Sequence, residues 1–322
     1  MRRYFLNLIL ALPFLVCAQL PDSLLSTKTE NYFSLQYDND VFNHTDRYYT
    51  QGILLTLIHP IVKYSPISYA LIRLNKNARN YYGFHLEQDV FTPITIRHQG
   101  IFYGERPYAA VLFMSHSLTS IHPQKRLLIR TCVDLGVIGP AAQGAEEQKG
   151  IHKAIDNPQP LGWQYQVSND VIVNYDIKLE KGIYTKKYFE WMGSAATRIG
   201  TLYNDLGVGT FVRCGIFSPY FNNLGLENDD SKRKNKFKIY VTARLNVRAV
   251  GYNATLQGGL INQSRVYTLS SGTITRGVLD SQGGIVMASK RLSLEYRVVY
   301  ITSEFRNGVD HSWGSCLLNV CF

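Results

Sequence analysis

After residue 18 the 322-residue chain has no long hydrophobic run. A spanning helix needs about 20 consecutive apolar residues, so membrane-crossing helices are excluded from residues 19–322. Cysteine is scarce, with 5 in all. Four of them, Cys132, Cys214, Cys316 and Cys321, follow the N-terminal segment, and none forms a CxxC pair. That spacing indicates neither a zinc site nor a dense disulfide framework. Cys316 and Cys321 are an odd number of residues apart, so on one strand they face opposite sides and cannot bridge each other. The four read as buried or lipid-facing free thiols. Also missing are a GxSxG nucleophile elbow, a zinc motif and a phosphate-binding glycine loop. There is no fixed-period repeat and no low-complexity linker, so the chain reads as one domain.

What is present begins with a leader. Arg2 and Arg3 precede an apolar run from Leu6 to Val16, broken by Asn7 and Pro13, and Val16-Cys17-Ala18 follows. This pattern reads as a secretory signal peptide over residues 1–18, cleaved after Ala18. Val16 stands where a lipoprotein signal would carry a small residue before Cys17. The exported residues 19–322 are then either soluble or a β-barrel, and they suffice for one large barrel.

The strand pattern favours the barrel. Phe33, Leu35 and Tyr37 alternate with Ser34, Gln36 and Asp38. The same period of two runs through 171–180, 238–248 and 291–298, with charges at nearly every second position of one face. Counting back from the terminal Phe322, Val320, Leu318 and Cys316 form an apolar row opposite Asn319 and Ser315. A closing strand that ends on an aromatic is typical of outer-membrane barrels. The 22 Tyr, 15 Phe and 3 Trp suit the aromatic girdles of such a barrel. We therefore expect an all-β fold, a transmembrane antiparallel β-barrel with lipid outside and a polar lumen. Further strands are expected near 50–58, 81–88, 107–117, 125–138, 183–191, 195–203, 207–217, 252–262, 265–270 and 283–289, for about 12 in total with both termini in the periplasm. The expected location is the bacterial outer membrane.

The formal charge of +10 is spread along the chain, as lumen and rim charge would be. The one cluster, Lys232 to Lys238, lies beside Asp229 and Asp230 and reads as a solvated loop. An exported barrel seldom meets nucleic acid, so none is expected as a partner. The abundant anion at the outer membrane is the phosphate of lipopolysaccharide.

One stretch breaks the β pattern. Residues 139–160, GPAAQGAEEQKGIHKAIDNPQP, favour a short helix in an extracellular loop, with Pro140 suited to a first turn. Ile151 and Ile155 share a face, with His152 beside it and Asp156 four residues beyond His152. Loops that carry such structure tend to carry function. A second polar stretch is Asp38-Asn39-Asp40 with Thr45-Asp46-Arg47-Tyr48-Tyr49-Thr50-Gln51-Gly52. Its oxygen donors could hold a hard cation such as calcium, although the glycine and terminal glutamate of an EF-hand loop are missing. Ordinary turn chemistry accounts for the same residues without a metal.

These residues carry a resemblance. Asp38-Asn39-Asp40 with Asp46-Arg47-Tyr48-Tyr49-Thr50-Gln51-Gly52 resembles the (E/D)ND…DRxYTxG signature of the lipid A 3′-O-deacylase (LpxR) family. Glu105-Arg106-Pro107-Tyr108-Ala109 stands for the family's DRPYAG, here ending in a second alanine. Leu135 to Pro140 with His152 and Gly162-Trp163 follow in order, then Tyr252-Asn253-Ala254 with Leu256-Gln257-Gly258, and Ser303-Glu304-Phe305 with His311 and Trp313-Gly314. The resemblance implies an outer-membrane barrel that removes the 3′-linked acyloxyacyl chain of lipid A by calcium-dependent ester hydrolysis. It maps the family's Asn-Asp pair onto Asn39 and Asp40 near the ion, and its catalytic histidine onto His152. It implies a basic residue, for which Arg97 is the nearest candidate, and a hydroxyl that Thr50 or Ser65 would supply. An acidic residue is expected soon after the histidine, and Asp156 or the position of Gln159 would fill it.

The expected mechanism has His152 as general base on a water that attacks the ester. Calcium held by Asp40, with Asn39 nearby and Asp156 completing the shell or orienting the imidazole, would stabilise the oxyanion. Arg97 would assist there or grip a phosphate. The expected partners are lipid A or lipopolysaccharide and other outer-membrane lipids, and the protein is expected to be a monomer. The alternatives are a non-catalytic barrel, whether channel or lipid binder, and an outer-membrane phospholipase. The latter needs a Ser–His pair that the strand positions do not offer.

Overall fold

Each strand of the chain hydrogen-bonds to the next and the last returns to the first, so no sheet edge is left open. The computed structural model describes residues 31–43, 45–222, 237–262, 264, 266–289 and 291–322. The segment expected to be a signal peptide, residues 1–18, and most of the Lys232–Lys238 cluster lie outside the described residues. The strands are β1 (Tyr32–Asn39), β2 (Tyr48–Ile58), β3 (Arg79–Thr92), β4 (Ala109–His122), β5 (Leu127–Ile138), β6 (Asp170–Lys186), β7 (Phe189–Gly200), β8 (Tyr203–Ile216), β9 (Phe237–Asn253), β10 (Gly277–Ser289), β11 (Leu292–Ile301) and β12 (His311–Cys321). Helix α1 (Gly144–Ala154) lies between β5 and β6, and the single turn α2 (Ala254–Gln257) follows β9. The result is a closed, antiparallel, 12-stranded barrel.

Closure is antiparallel, with Tyr32 opposite Cys321 and Asn39 opposite Gly314. The Phe322 N–H extends the seam by donating to the Asn31 carbonyl at 3.0 Å. Both ends of the described chain therefore lie at one rim. The connections 93–108, 139–169 and 254–276 lie at the other, which is the extracellular rim of an outer-membrane barrel whose end strands open and close on the periplasmic side.

The alternation is inside-out relative to a soluble protein. Phe33 and Leu35 are exposed while Ser34 and Asp38 are buried, and Val171, Val173, Ile239, Val241, Leu292 and Leu294 are all exposed. Apolar rows face lipid, and polar rows face a lumen whose cavity of about 440 Å³ is lined by Glu87, Asp89, Asp134, Asp176, Arg130 and Arg198, among others. The C-terminal row behaves as its period predicts: Phe322 is exposed while Asn319 and Ser315 are buried.

Three strand expectations need correction. The segment expected at 183–191 straddles a hairpin, because β6 runs on to Lys186 and β7 starts at Phe189. Strand β9 ends at Asn253, and neither 254–262 nor 266–270 is strand among the described residues. The Asn253 side chain accepts from the Thr255 N–H at 3.0 Å and caps α2, ending β9. Leu256 and Leu269 then pack with Tyr48, Ile274 and Phe305 over the barrel mouth. Their apolar pattern reported burial in a plug, which a period of two does not distinguish from a strand.

The plug is fastened by Arg106. Its guanidinium forms an ion pair with Glu304 at 2.5 Å, donates to Thr255 Oγ1 at 2.7 Å and stacks 4.3 Å over Phe91. Burial pushes the Glu304 carboxyl up, but Arg106 outweighs it and holds the group below its ordinary value. Removing one partner strands the other charge, so Arg106→Ala should cost about 3–5 kcal/mol. Urea unfolding of the refolded barrel, followed by tryptophan fluorescence, should show the lower midpoint. An unchanged midpoint would mean that the loops over the mouth hold without this pair.

Candidate functional site

The candidate residues meet on the outside of the barrel wall, at the extracellular end of β2 and β3. A β-bulge places them there. Tyr49 pairs with Phe91 and Gln51 with Val90, so Thr50 is the extra residue of β2. Tyr49 points inward, its hydroxyl 3.1 Å from Asp38 Oδ2 and 3.0 Å from Asp89 Oδ1, one proton between two carboxyl groups. Gln51 instead pairs with Glu147 of α1. Thr50 is thereby aimed at the β1–β2 loop.

Asp40 opens that loop and is 1 % exposed. Its Oδ2 accepts from the Thr45 hydroxyl at 2.9 Å and the Arg47 N–H at 2.8 Å, and its Oδ1 lies 3.2 Å from Thr50 Oγ1. Asp46 Oδ1 lies 3.1 Å from the same Thr50 oxygen. One hydroxyl proton cannot serve both carboxylates, so the pair shares a donor that satisfies only one of them at a time. Burial pushes Asp40 up to about 7 against the hydrogen bonds from Arg47 and Thr45, and the neighbouring Asp46 adds to the rise. Burial also raises Asp46, against the pull of His152.

Helix α1 supplies the other half. Its buried positions Ala145, Gln148 and His152 fall three and four apart, one face of a helix. Ile155, which shares a face with Ile151, is 61 % exposed. The helix sits close to the wall because Gly144 has no side chain; a Cβ there would lie 2.4 Å from the Ala110 methyl. Gln148 bridges the halves, donating to Asp46 Oδ1 at 3.2 Å and accepting from the Trp163 indole at 2.8 Å. Trp163 is 2 % exposed and lies against Tyr108, ring centroids 4.8 Å apart, which fixes the helix on β3 and β4.

His152 is buried with both ring nitrogens defined. Nδ1 lies 2.6 Å from the Pro158 carbonyl, so it carries the proton and donates. In the neutral ring Nε2 then bears the lone pair, and it faces Asp46 Oδ2 at 3.4 Å. That Oδ2 is buried and has no hydrogen-bond partner among the described residues.

The other expected site residues fall as follows. Asn39 is near but occupied: its Oδ1 accepts from the Val41 N–H at 2.7 Å and its Nδ2 donates to the Tyr37 hydroxyl at 3.0 Å. Asp156 is exposed, with φ of 55° just past the helix. The carboxylate that faces the imidazole is that of Asp46, and the group that orients it is the Pro158 carbonyl. Arg97 is exposed on the 93–108 loop and takes no part in the hydrogen bonds that join Asp40, Asp46, Thr50, Gln148 and His152. Ser65 lies in the 59–78 connection at the opposite rim, so Thr50 is the hydroxyl at the site. Gln148 was not among the candidates, although its place four residues before His152 put it on the same helical face. Among the described residues no three His, Cys, Asp or Glu side chains form a ready-made metal cage. The donors that do converge are hard oxygens from Asp40, Asp46 and Thr50, of the kind calcium takes, and the unpartnered Asp46 Oδ2 leaves a lone pair for it.

Comparison with known proteins gives a consistent result. The family model described as outer membrane protein LpxR matches residues 5–322. The solved structure of LpxR from Salmonella typhimurium superposes with a TM-score of 0.71 at 23 % identity, covering 90 % of this chain and 100 % of that one. The translocator domain of the autotransporter NalP from Neisseria meningitidis aligns with a TM-score of 0.44 at 9 % identity, covering 93 % of this chain and 90 % of that one. No curated protein matches the sequence.

Proposed function

The chain belongs to the outer membrane protein LpxR family, and from that premise we propose that this outer-membrane barrel is a calcium-dependent lipid A deacylase that releases the 3′-linked acyloxyacyl chain. The observation that carries the reading is the His152 geometry, with the proton fixed on Nδ1 and the lone pair of Nε2 turned toward Asp46. Such an imidazole is a general base in its correct tautomer. Nε2 and Asp46 Oδ2 are both acceptors across 3.4 Å, and a water that donates one O–H to each is held for attack. When the water attacks the ester carbonyl, Nε2 takes its proton. The imidazolium then lies between the Pro158 carbonyl and the Asp46 carboxylate, both of which favour the charge, and as the tetrahedral adduct collapses and the C–O bond to the sugar breaks, it returns that proton to the departing 3′ oxygen. Asp40, Asp46 and Thr50 would hold calcium, which when bound polarises the carbonyl and steadies the oxyanion. Asn39 keeps the loop that presents Asp40 in its turn.

The position of the site fits a lipid substrate. It lies against outward-facing Gln88 and Val90 on β3 and Ala110 on β4, above the exposed Leu86 and Met114. A lipid A molecule in the outer leaflet reaches such a site sideways without leaving the membrane. A channel is the weaker reading, because Arg106, Glu304, Leu256 and Phe305 pack across the extracellular mouth. A serine-dependent phospholipase is weaker too, because His152 Nε2 faces a carboxylate.

The test is mass spectrometry of lipid A incubated with the refolded barrel, in calcium and in chelator, with phospholipid in parallel. Loss of one acyloxyacyl group from lipid A in calcium alone is the expected result. Unchanged lipid A across several acylation types would overturn the reading, and so would cleavage of phospholipid instead.

A further inference from the structure

On one sector of the wall, polar side chains point outward where lipid would be. His116 and Ser120 of β4 share the outward parity of the exposed Met114, and Thr131 of β5 shares that of Leu135. Yet all three are 2 % exposed or less. They are covered by residues 59–78, the link between β2 and β3 at the periplasmic rim. This link does not hang below the barrel. Two 3₁₀ turns, Pro60–Tyr64 and Pro66–Ala70, fold it up along the outer wall. Val62 and Leu71 pack on Tyr82 and Leu118. Ser68 Oγ lies 2.8 Å from His116 Nε2, the Ile72 and Leu74 N–H groups donate to Thr131 and Ser120, and the Tyr175 hydroxyl donates to the Ala70 carbonyl at 2.7 Å.

The outer face of the link is apolar and aromatic. Ile61 is 67 % exposed, Tyr64 76 %, Tyr69 78 % and Ile72 42 %. Lys63 lies 4.9 Å over the Tyr64 ring, and Lys76 is exposed near the lower edge. We propose that residues 59–78 are an apron embedded in the periplasmic leaflet, its outer face covered by glycerophospholipid. Height argues for lipid rather than water. His116 lies six positions from the periplasmic end of β4 at His122, which on a tilted strand is roughly 15 Å above the rim and within a hydrocarbon layer of about 30 Å. Continuity argues the same way. The lipid-facing row Leu86, Met114, Leu135 ends where the polar wall begins, and the apron's apolar face carries the belt on below it. Tyrosine beside lysine is also the composition of a membrane interface, with ring bodies in the acyl region and ammonium groups at the phosphates. The apron thereby props the wall sector that carries α1 and the site above it.

Ile61→Trp and Tyr69→Trp each add a reporter at an exposed position, read against the wild-type tryptophans in phosphatidylcholine vesicles. Heat-modifiable gel migration checks that both variants fold. The added emission should be blue-shifted and quenched at least about twofold by phosphatidylcholine brominated on its acyl chains, more strongly by shallow than by deep bromines. Emission typical of water, quenched by acrylamide and not by bromolipid, would overturn the proposal. Blue-shifted emission that bromolipid leaves unquenched, in a barrel that sediments as a dimer, would assign the face to a second copy and overturn it equally.

Discussion

His152→Ala should abolish lipid A deacylation, by about 10²–10⁴-fold, in a barrel that still folds and inserts. The imidazole is the one base at the site with its proton already assigned: Nδ1 is committed to Pro158 at 2.6 Å and Nε2 is left to accept. Removing it leaves the wall intact, because α1 is held by Gly144, Ala145 and Trp163 packed on Val90, Tyr108 and Ala110. Two companion variants separate the carboxylates. Asp46→Asn should also lose most turnover, since the amide cannot favour the imidazolium 3.4 Å away. Asp156→Gly should keep it, because Asp156 is exposed and its left-handed φ of 55° suits glycine at least as well. Lipid A product analysis by mass spectrometry under calcium reads all three. Wild-type turnover by His152→Ala would remove the histidine from the mechanism, and loss in Asp156→Gly with retention in Asp46→Asn would return the acidic role to Asp156.

The placement of Asp46, rather than Asp156, beside His152 shows what the sequence could and could not carry. The strands were legible because alternation is a local property: Phe33 against Ser34, or Leu294 against Ser293, separates two faces without reference to any other strand, whereas the expectation that the apolar face meets lipid rested on the reading of residues 1–18 and on the terminal aromatic. The plug was not, since Leu256 and Leu269 are apolar for the same reason as strand residues and only closure over the mouth tells them apart. At the site, the helix with His152 and the acidic turn with Asp40 stood out because they break the alternation, and the family resemblance is what joined them as candidates. The Asp46–His152 contact joins residues more than a hundred positions apart. Asp156 was the nearer acid in sequence, but the backbone turns left-handed there and leaves it exposed. The outward aim of Thr50 depends on a one-residue register shift between β2 and β3, which no single-strand pattern records.

Calcium affinity should rise about tenfold per pH unit up to roughly pH 7 and level off above it. The sign follows from Asp40. Its folded carboxyl is raised to about 7 by burial, so below that pH the group is protonated and is not a ligand. Binding must then expel a proton. Above that pH the carboxylate is already formed and calcium meets no competitor. The raised Asp46 acts in the same direction. In the absence of calcium the same linkage makes Asp40 favour the folded state most below its ordinary value near 3.8, and that contribution is lost as pH rises toward 7. Calorimetry in buffers of different ionisation enthalpy should find close to one proton or more released per calcium at about pH 6 and few at about pH 8. Asp40→Asn should lower calcium affinity on the order of 10²-fold while keeping the loop, because an amide oxygen can still accept from Arg47 N–H and Thr45, and the amide nitrogen can donate to Thr50 Oγ1. Turnover in that variant should recover in part at high calcium, whereas His152→Ala should not. Affinity that ignores pH, or an Asp40→Asn barrel that binds calcium like wild type, would place the ion elsewhere and leave Asp40 as the staple of the β1–β2 loop.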